Sequence, residues 1–434
     1  MKNGQWFVSF VFFVFSLLML AFVKDGQAQE SIDVKAEAAI LIDADSGKIL
    51  YEKNADEKLA IASMTKMMTE YLVLDAIKNK EIDWDQEVPI SEYAQQVSQN
   101  YSLSNVPLLQ NVKYTVKELY EAMAIYSANG ATIALAEFVG GSEANFVKMM
   151  NEKAEELGLD DVTFVNTTGL NNRDLFGKHP AGGENEENMM SARSTARLAF
   201  HLLRDHPDVL QIASVPTKNF TKGINGEPIQ MLNWNWMLNG LDLAYPGVDG
   251  LKTGSTDLAG FAFTGTVKKG NIRLISVVMK TDSAISRFRE TAKLYDWAFS
   301  QFTKEEIVPK GYSFEDLTIP VANGKQKEAP IEAKSAFHML VRSNEKDLYE
   351  PEVQLDKKKL DENGSLVAPL EKGEKVGTLT VKYTGEGTDY GFIAEHVPMH
   401  DVVASEEVKK ASWLTRSLRA IGNFFSGLWN KVAG

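Results

Sequence analysis

The sequence has no cysteine and only six histidines among its 434 residues. The first absence removes disulfide frameworks, thiol nucleophiles and thiolate metal sites together. The histidines are His179, His201, His206, His338, His396 and His400, and none makes an H-E-x-x-H motif. His396 and His400 stand four apart, but Pro398 between them breaks the helical turn that would set both rings on one metal. A histidine-ligated zinc hydrolase is therefore not expected, and no metal or other cofactor is implied. There is also no convincing internal repeat and no low-complexity tract. Positive charge is scarce, with a formal net charge of −13. Residues 1–28 carry net +1 and residues 408–434 net +5, so the body between them stands at −19. Such a body repels nucleic acid, and its basic end needs a separate explanation.

What remains is a long chain of ordinary globular composition, 44% hydrophobic and 24% charged, with length for two or three domains. Lys2 precedes an apolar run from Trp6 to Val23, and small residues at Gly26 and Ala28 follow. This reads as a secretory signal cleaved after Ala28; an uncleaved anchor would look much the same. Residues 38–51 read as a hairpin around Asp43-Ala44-Asp45-Ser46-Gly47. A helix should follow to about Asn79, then mostly loop over 80–115. Further helices are expected at 116–126, 131–139, 143–157 and 191–205. A polar loop at 166–190 is placed to line a cleft. Strands at 250–256, 260–268 and 272–280 and a helix at 284–301 complete an α+β domain over 29–302. Short alternating runs over 303–404 predict a small all-β domain, with residues 405–434 as a separate amphipathic tail.

Three short motifs carry the chemistry. Ser63 and Lys66 lie three apart where an apolar helix begins, in Ile61-Ala62-Ser63-Met64-Thr65-Lys66. Residues at that spacing share a helix face, so the two side chains can touch. A hydroxyl becomes a nucleophile when a neighbouring base takes its proton, and a buried lysine can be that base. Tyr126-Ser127-Ala128-Asn129-Gly130 then offers a hydroxyl and a carboxamide at a helix end, though an ordinary helix stop has the same composition. Gly250-Leu251-Lys252-Thr253-Gly254-Ser255 opens a strand with groups able to hold a carboxylate, and it also fits a strand edge guarded by charge.

In this order, S-x-x-K, S-x-N and K-T-G resemble the motifs of the penicillin-interacting serine acyltransferases. The layout of nearly the whole chain resembles the low-molecular-mass penicillin-binding proteins that act as D-alanyl-D-alanine carboxypeptidases. The resemblance implies a β-lactamase-like catalytic domain, an antiparallel sheet flanked by helices, that acts on peptidoglycan stem peptides and is acylated by β-lactams. It implies Ser63 as nucleophile and Lys66 as its base. Ser127 would relay a proton and Asn129 would orient Lys66 and the substrate amide. Lys252 and Thr253 would hold the substrate carboxylate, beside Gly254. Backbone N–H groups of Ser63 and Ser255 would bind the oxyanion. Arg289, in Ser286-Arg287-Phe288-Arg289-Glu290, resembles a family arginine beyond the third motif; a solvated helix face fits it as well. Trp234 stands where some relatives carry a basic residue, which puts a cation there in doubt.

Rival readings fare worse. Glu156-Leu157-Gly158-Leu159-Asp160 looks like the deacylating signature of a class A β-lactamase, but it lies at a helix end and has Asp160 in place of asparagine. A Ser-His-Asp hydrolase needs a G-x-S-x-G elbow, and Ser63 has Ile61 and Thr65 at the glycine positions. Endopeptidase or transpeptidase action on cross-links, or a penicillin-binding sensor without turnover, stays compatible with the motifs. The basic end is explained by its pattern. Leu414, Leu418, Ile421, Phe425, Leu428 and Val432 form one helical stripe, flanked by Trp413, Phe424 and Trp429 and by five cations. That predicts a helix lying in the outer face of the cytoplasmic membrane; a helix packed on the β domain or on a second copy of itself has the same stripe.

Overall fold

The computed structural model describes residues 32–223, 226–314, 318–343, 345–393 and 400–415. The signal-like segment and the tail from residue 416 lie outside them.

The first hairpin forms as β1 (Ala38–Asp43) and β2 (Ile49–Lys53), closed where Gly47 N–H donates to the Asp43 carbonyl at 2.8 Å. The expected late strands are β3 (Val248–Thr256), β4 (Gly260–Lys269) and β5 (Ile272–Thr281). They join the hairpin in one antiparallel sheet of order β2-β1-β5-β4-β3. Alternation decides what each face meets. On β4, Phe263 and Gly265 meet Phe288 and Tyr295 of the helix α6 (Ala284–Gln301). Thr264 points the other way and donates to the Sδ of Met64, the residue after Ser63, at 3.2 Å. The middles of β4 and β5 are buried on both faces.

The other longer helices form the other half of the body. They are α1 (Lys66–Lys78), α2 (Val116–Tyr126), α3 (Asn129–Gly140), α4 (Glu143–Glu156) and α5 (Ala192–Asp205). Helix α1 is buried from Lys66 to Leu74 all round, with Lys66, Thr69 and Glu70 as the polar side chains within that span. Helix α2 starts in a capping box: Thr115 Oγ1 accepts from Glu118 N–H at 3.2 Å, and the Glu118 carboxylate accepts from Thr115 N–H at 2.9 Å. Such a cap is worth about 1 kcal/mol. The 80–115 segment, expected as mostly loop and short pieces, is of that kind. It holds a helix at Glu92–Ser98, capped by Ser91, and a strand pair Glu87–Val88 with Tyr114–Thr115. A second hairpin, Thr217–Phe220 with Ile229–Leu232, had no expectation at all.

Helix α6 runs straight into the strand Phe302–Val308, which pairs with Phe337–Arg342. From there the chain is β-rich, with a core of its own around Ile331, Met339, Leu366, Val376 and Val402. That packing continues past Ala404, where the tail was expected to begin. Val408 pairs with Leu370 and is 1% exposed, and Ala411 N–H donates to Asn323 O at 2.8 Å. The β-rich body also returns to the first one. Gly391 O accepts from Ile49 N–H at 3.0 Å, Ile393 N–H donates to Gly47 O at 2.8 Å, and Lys48 pairs with Asp389. The Ile393 side chain is fully buried in the catalytic core.

Candidate active site

Ser63 lies in a 3-10 turn, Ala62–Thr65, that leads into α1. The turn is tight: Ala62 holds φ at 46°, a conformation that costs a non-glycine residue on the order of 1 kcal/mol. It is clamped from two sides by glycines. A Cβ on Gly169 would stand 1.8 Å from the Ala62 carbonyl oxygen, and one on Gly254 would stand 2.5 Å from that of Ile61. The 166–172 loop and the K-T-G strand can approach the serine only because both positions lack a side chain.

Lys66 is fully buried, and its Nζ has three neighbours. Ser63 Oγ is at 2.9 Å, Asn129 Oδ1 at 2.8 Å and the Thr168 carbonyl oxygen at 2.7 Å. The last two can only accept. In a neutral amine they take both hydrogens, and the lone pair is left facing the Ser63 hydroxyl. Burial, and after it the charge of Lys252, pulls the Lys66 ammonium well below the ordinary lysine range; Glu70 pulls the other way. Asn129 is itself fixed, since its N–H and its Nδ2 both donate to Ser104 O at 3.0 Å.

Ser127 ends α2 in the left-handed region, at φ 60° and ψ 30°. Its Oγ is buried and has no hydrogen-bond partner among the described residues. Lys252 and Thr253 are 3% and 6% exposed on β3, opposite Thr264 and Phe263. Burial lowers the Lys252 pKa, Glu70 opposes this, and Arg287 adds to it. The cleft so formed has a volume of about 290 Å³, and Ser63, Ser127, Asn129, Thr253, Gly254 and Ser255 all line it. Trp234, Trp236, Leu170 and Phe261 supply apolar walls. A larger cavity, about 810 Å³ around Trp84, Tyr120 and Ile212, holds none of the three motifs.

The structure corrects one residue. Arg289 lies on the exposed face of α6, whereas Arg287, two positions earlier, is 4% exposed and lines the cleft. A two-residue step on a helix turns a side chain by about 200°, so the two arginines point apart. The Nη1 of Arg287 donates to Gly254 O at 3.2 Å, and its guanidinium stacks over the Phe288 ring at 4.7 Å. Burial lowers its pKa to about 10, which leaves it charged at neutral pH. Trp234 places an indole, with no cation, beside the second motif; its Nε1–H donates to Tyr126 O at 3.1 Å. Glu156 ends α4 exposed, paired with the partly buried Lys153 at 2.7 Å and outside the cleft.

The combination of a buried lysine on a serine hydroxyl, facing a second buried lysine, coincides with what comparison with known proteins finds. A family model described as D-alanyl-D-alanine carboxypeptidase matches residues 24–283, and one described as penicillin-binding protein 5, C-terminal domain, matches residues 302–410. The chain belongs to the D-alanyl-D-alanine carboxypeptidase family. D-alanyl-D-alanine carboxypeptidase DacF of Bacillus subtilis is 33% identical over 405 residues, 93% of this chain and 94% of that one. Among solved structures, a peptidoglycan synthesis regulatory factor (PBP3) from Streptococcus pneumoniae superposes with a TM-score of 0.71 at 37% identity. The match covers 87% of this chain and 100% of that structure. Penicillin-binding protein D2 from Listeria monocytogenes, solved in an ampicillin-bound form, matches with a TM-score of 0.52 at 33% identity. It covers 62% of this chain and 100% of that structure. The family resemblance read from the three motifs is borne out, as is the α+β body followed by a β-rich one.

Proposed function

We propose that this carboxypeptidase removes the terminal D-alanine of peptidoglycan stem peptides through an acyl-enzyme on Ser63, and that penicillins acylate the same oxygen. The observation that carries this is the environment of Lys66. Its two hydrogens are claimed by fixed carbonyl acceptors, so its lone pair is aimed at Ser63 Oγ at 2.9 Å. As Ser63 attacks the carbonyl between the two D-alanines, Lys66 takes its proton. The backbone N–H groups of Ser63 and Ser255 receive the developing oxyanion; one such donor is worth roughly 3–4 kcal/mol of barrier. Ser127, buried and unpartnered, passes a proton to the departing amine. The substrate's terminal carboxylate lies against Lys252, Thr253 and Arg287. Water then hydrolyses the ester and frees the enzyme.

The reading extends to the cell surface: export by the N-terminal segment, and residence on the outer face of the membrane through the basic tail. Mass spectrometry with benzylpenicillin, followed by assay of D-alanine release from a D-Ala-D-Ala peptide, tests the chemistry. One covalent adduct on the peptide that contains Ser63, lost in Ser63→Ala together with turnover, is expected. Labelling at full level in Ser63→Ala would sink the assignment. Stable acylation without D-alanine release would leave a sensor.

A further inference from the structure

The chemistry given to the cleft leaves its tryptophan wall without a task. The wall grows out of the 217–232 hairpin, in Asn233-Trp234-Asn235-Trp236 directly after the strand Ile229–Leu232. Both asparagines are buried and turn the chain on itself. Asn233 Oδ1 accepts from Asn235 N–H at 2.9 Å, and Asn235 Oδ1 accepts from Met237 N–H at 3.2 Å. Their carboxamide nitrogens tie the segment down, Asn233 Nδ2 donating to Val215 O at 2.9 Å and Asn235 Nδ2 to Gly250 O at 3.2 Å. With alternate residues anchored inside, Trp234 and Trp236 are left half-buried, and both line the cleft. Each indole is also braced. Trp234 stacks on Tyr126 with ring centres 6.2 Å apart, and its Nε1–H is taken up by Tyr126 O. Trp236 lies 5.7 Å from the ring of Phe288.

These braces fix where the wall stands relative to the substrate. Tyr126 precedes Ser127, which serves the departing amine, and Phe288 follows Arg287, which faces the departing carboxylate. That amine and that carboxylate belong to one residue, the one that leaves. A wall anchored beside both holding points therefore flanks the carbon between them and the side chain that carbon carries. We propose that Trp234 and Trp236 form the pocket for the side chain of the departing residue and set its specificity: small apolar D-residues are taken, and polar ones of equal size are refused. The inference rests on the direction of cleavage given above. An indole face offers no acceptor, and the single donor of Trp234 already has its partner. A hydroxyl pressed against that wall gives up water and gains nothing in return, whereas a methyl or ethyl group leaves water favourably.

The test uses peptides with one acyl part that end in D-alanine, D-2-aminobutyrate, D-serine or glycine. The readout is kcat/KM for release of the last residue, which is where discrimination between substrates is expressed. D-2-Aminobutyrate and D-serine differ by a methyl against a hydroxyl at nearly equal size, so their ratio reads polarity. The wild-type protein should favour aminobutyrate by about 10- to 100-fold, the usual discrimination of an apolar pocket against a hydroxyl. Glycine, which leaves the wall untouched, should fall below D-alanine by about tenfold. Trp236→Ala admits water to the wall and should collapse the aminobutyrate-to-serine ratio toward one, while Trp236→Phe keeps most of it. If Trp236→Ala does not accumulate as folded protein, Trp236→Gln, which supplies a polar partner, is read in its place and should narrow the ratio too. A wild-type ratio near one, glycine at parity with D-alanine, or a ratio that neither polar nor truncating variant moves overturns the proposal. Release of D-alanine with a flat series would sink the pocket alone. Release of no residue from any of the peptides would sink the catalytic reading, and the pocket with it.

Discussion

Lys66 and Lys252 carry the same side chain into the same cleft, and their surroundings give them different work. Lys66 must lose a proton to act, so arginine, which stays charged, cannot replace it. Lys66→Arg is expected to cut acylation by a factor on the order of 10²–10⁴, the usual share of a general base. Lys252→Arg retains a cation for the carboxylate and should keep measurable activity with a raised KM. Equal tolerance at both positions, by stopped-flow acylation, would show that the roles are not separate. The arginine pair is a sharper residue-scale comparison. Arg287→Ala removes a buried cation from the cleft and should raise KM about tenfold or more, given that a hydrogen bond to a charged group is worth about 1.5–3 kcal/mol. Arg289→Ala, on the exposed face of the same helix, should leave KM within about twofold. The sequence motif could not distinguish the two, because the register of α6 is set by where Phe288 and Tyr295 find the sheet.

At the scale of elements, the 166–172 loop is held to the helices by a buried acid. Glu143, 5% exposed at the start of α4, accepts from Thr167 Oγ1 at 2.6 Å, and the neighbouring Thr168 carbonyl is the one that receives Lys66. Burial raises the Glu143 pKa to about 7, with the Thr167 hydrogen bonds opposing it. A carboxyl raised on folding favours the folded state below its unfolded pKa, near 4.5, and loses that contribution as pH climbs to about 7. The loss is on the order of 3 kcal/mol over that window. Glu143→Gln should therefore flatten the fall in urea midpoint between pH 5 and pH 8; an unchanged slope would place the titration elsewhere. This layer of the site was only partly legible beforehand. Helices and strands with strong periodicity, such as 116–126 and 272–280, were readable almost to the residue. So were the three motifs, because their side chains are the chemistry. The clamps were not: Ser104 and Thr168 act through backbone carbonyls, which leave no residue signature. Glu70 did leave one, a lone acid amid Met67, Met68, Tyr71 and Leu74, where an apolar helix face should carry none. The hairpin at 217–232 was missed because its strands alternate too weakly, with only Phe220 and Met231 buried.

For the whole molecule, the proposed residence at a membrane raises the question of how a body of charge −19 would stay near an anionic surface. It is repelled at long range, by an amount that salt screens beyond about 8–10 Å. The five cations of residues 408–434 and the stripe from Leu414 to Val432 are suited to reverse that. The β-rich body shows where a clean cut can be made. Val408 and Ala411 belong to its packing, so removing residues from 408 onward would damage that body as well as the tail. Trp413 and Leu414, by contrast, are 71% and 54% exposed. Deletion of residues 412–434 from the chain lacking residues 1–28 should leave the melting temperature and D-alanine release within error of the parent. It should also abolish co-sedimentation with vesicles containing anionic lipid. Binding by the parent should weaken steeply with salt and on neutral vesicles, because roughly 1 kcal/mol per cation comes from the surface charge. A truncated chain that still sediments as the parent does would move the anchor to another surface. A parent that binds neutral and anionic vesicles alike would make the apolar stripe alone responsible, and the cations incidental.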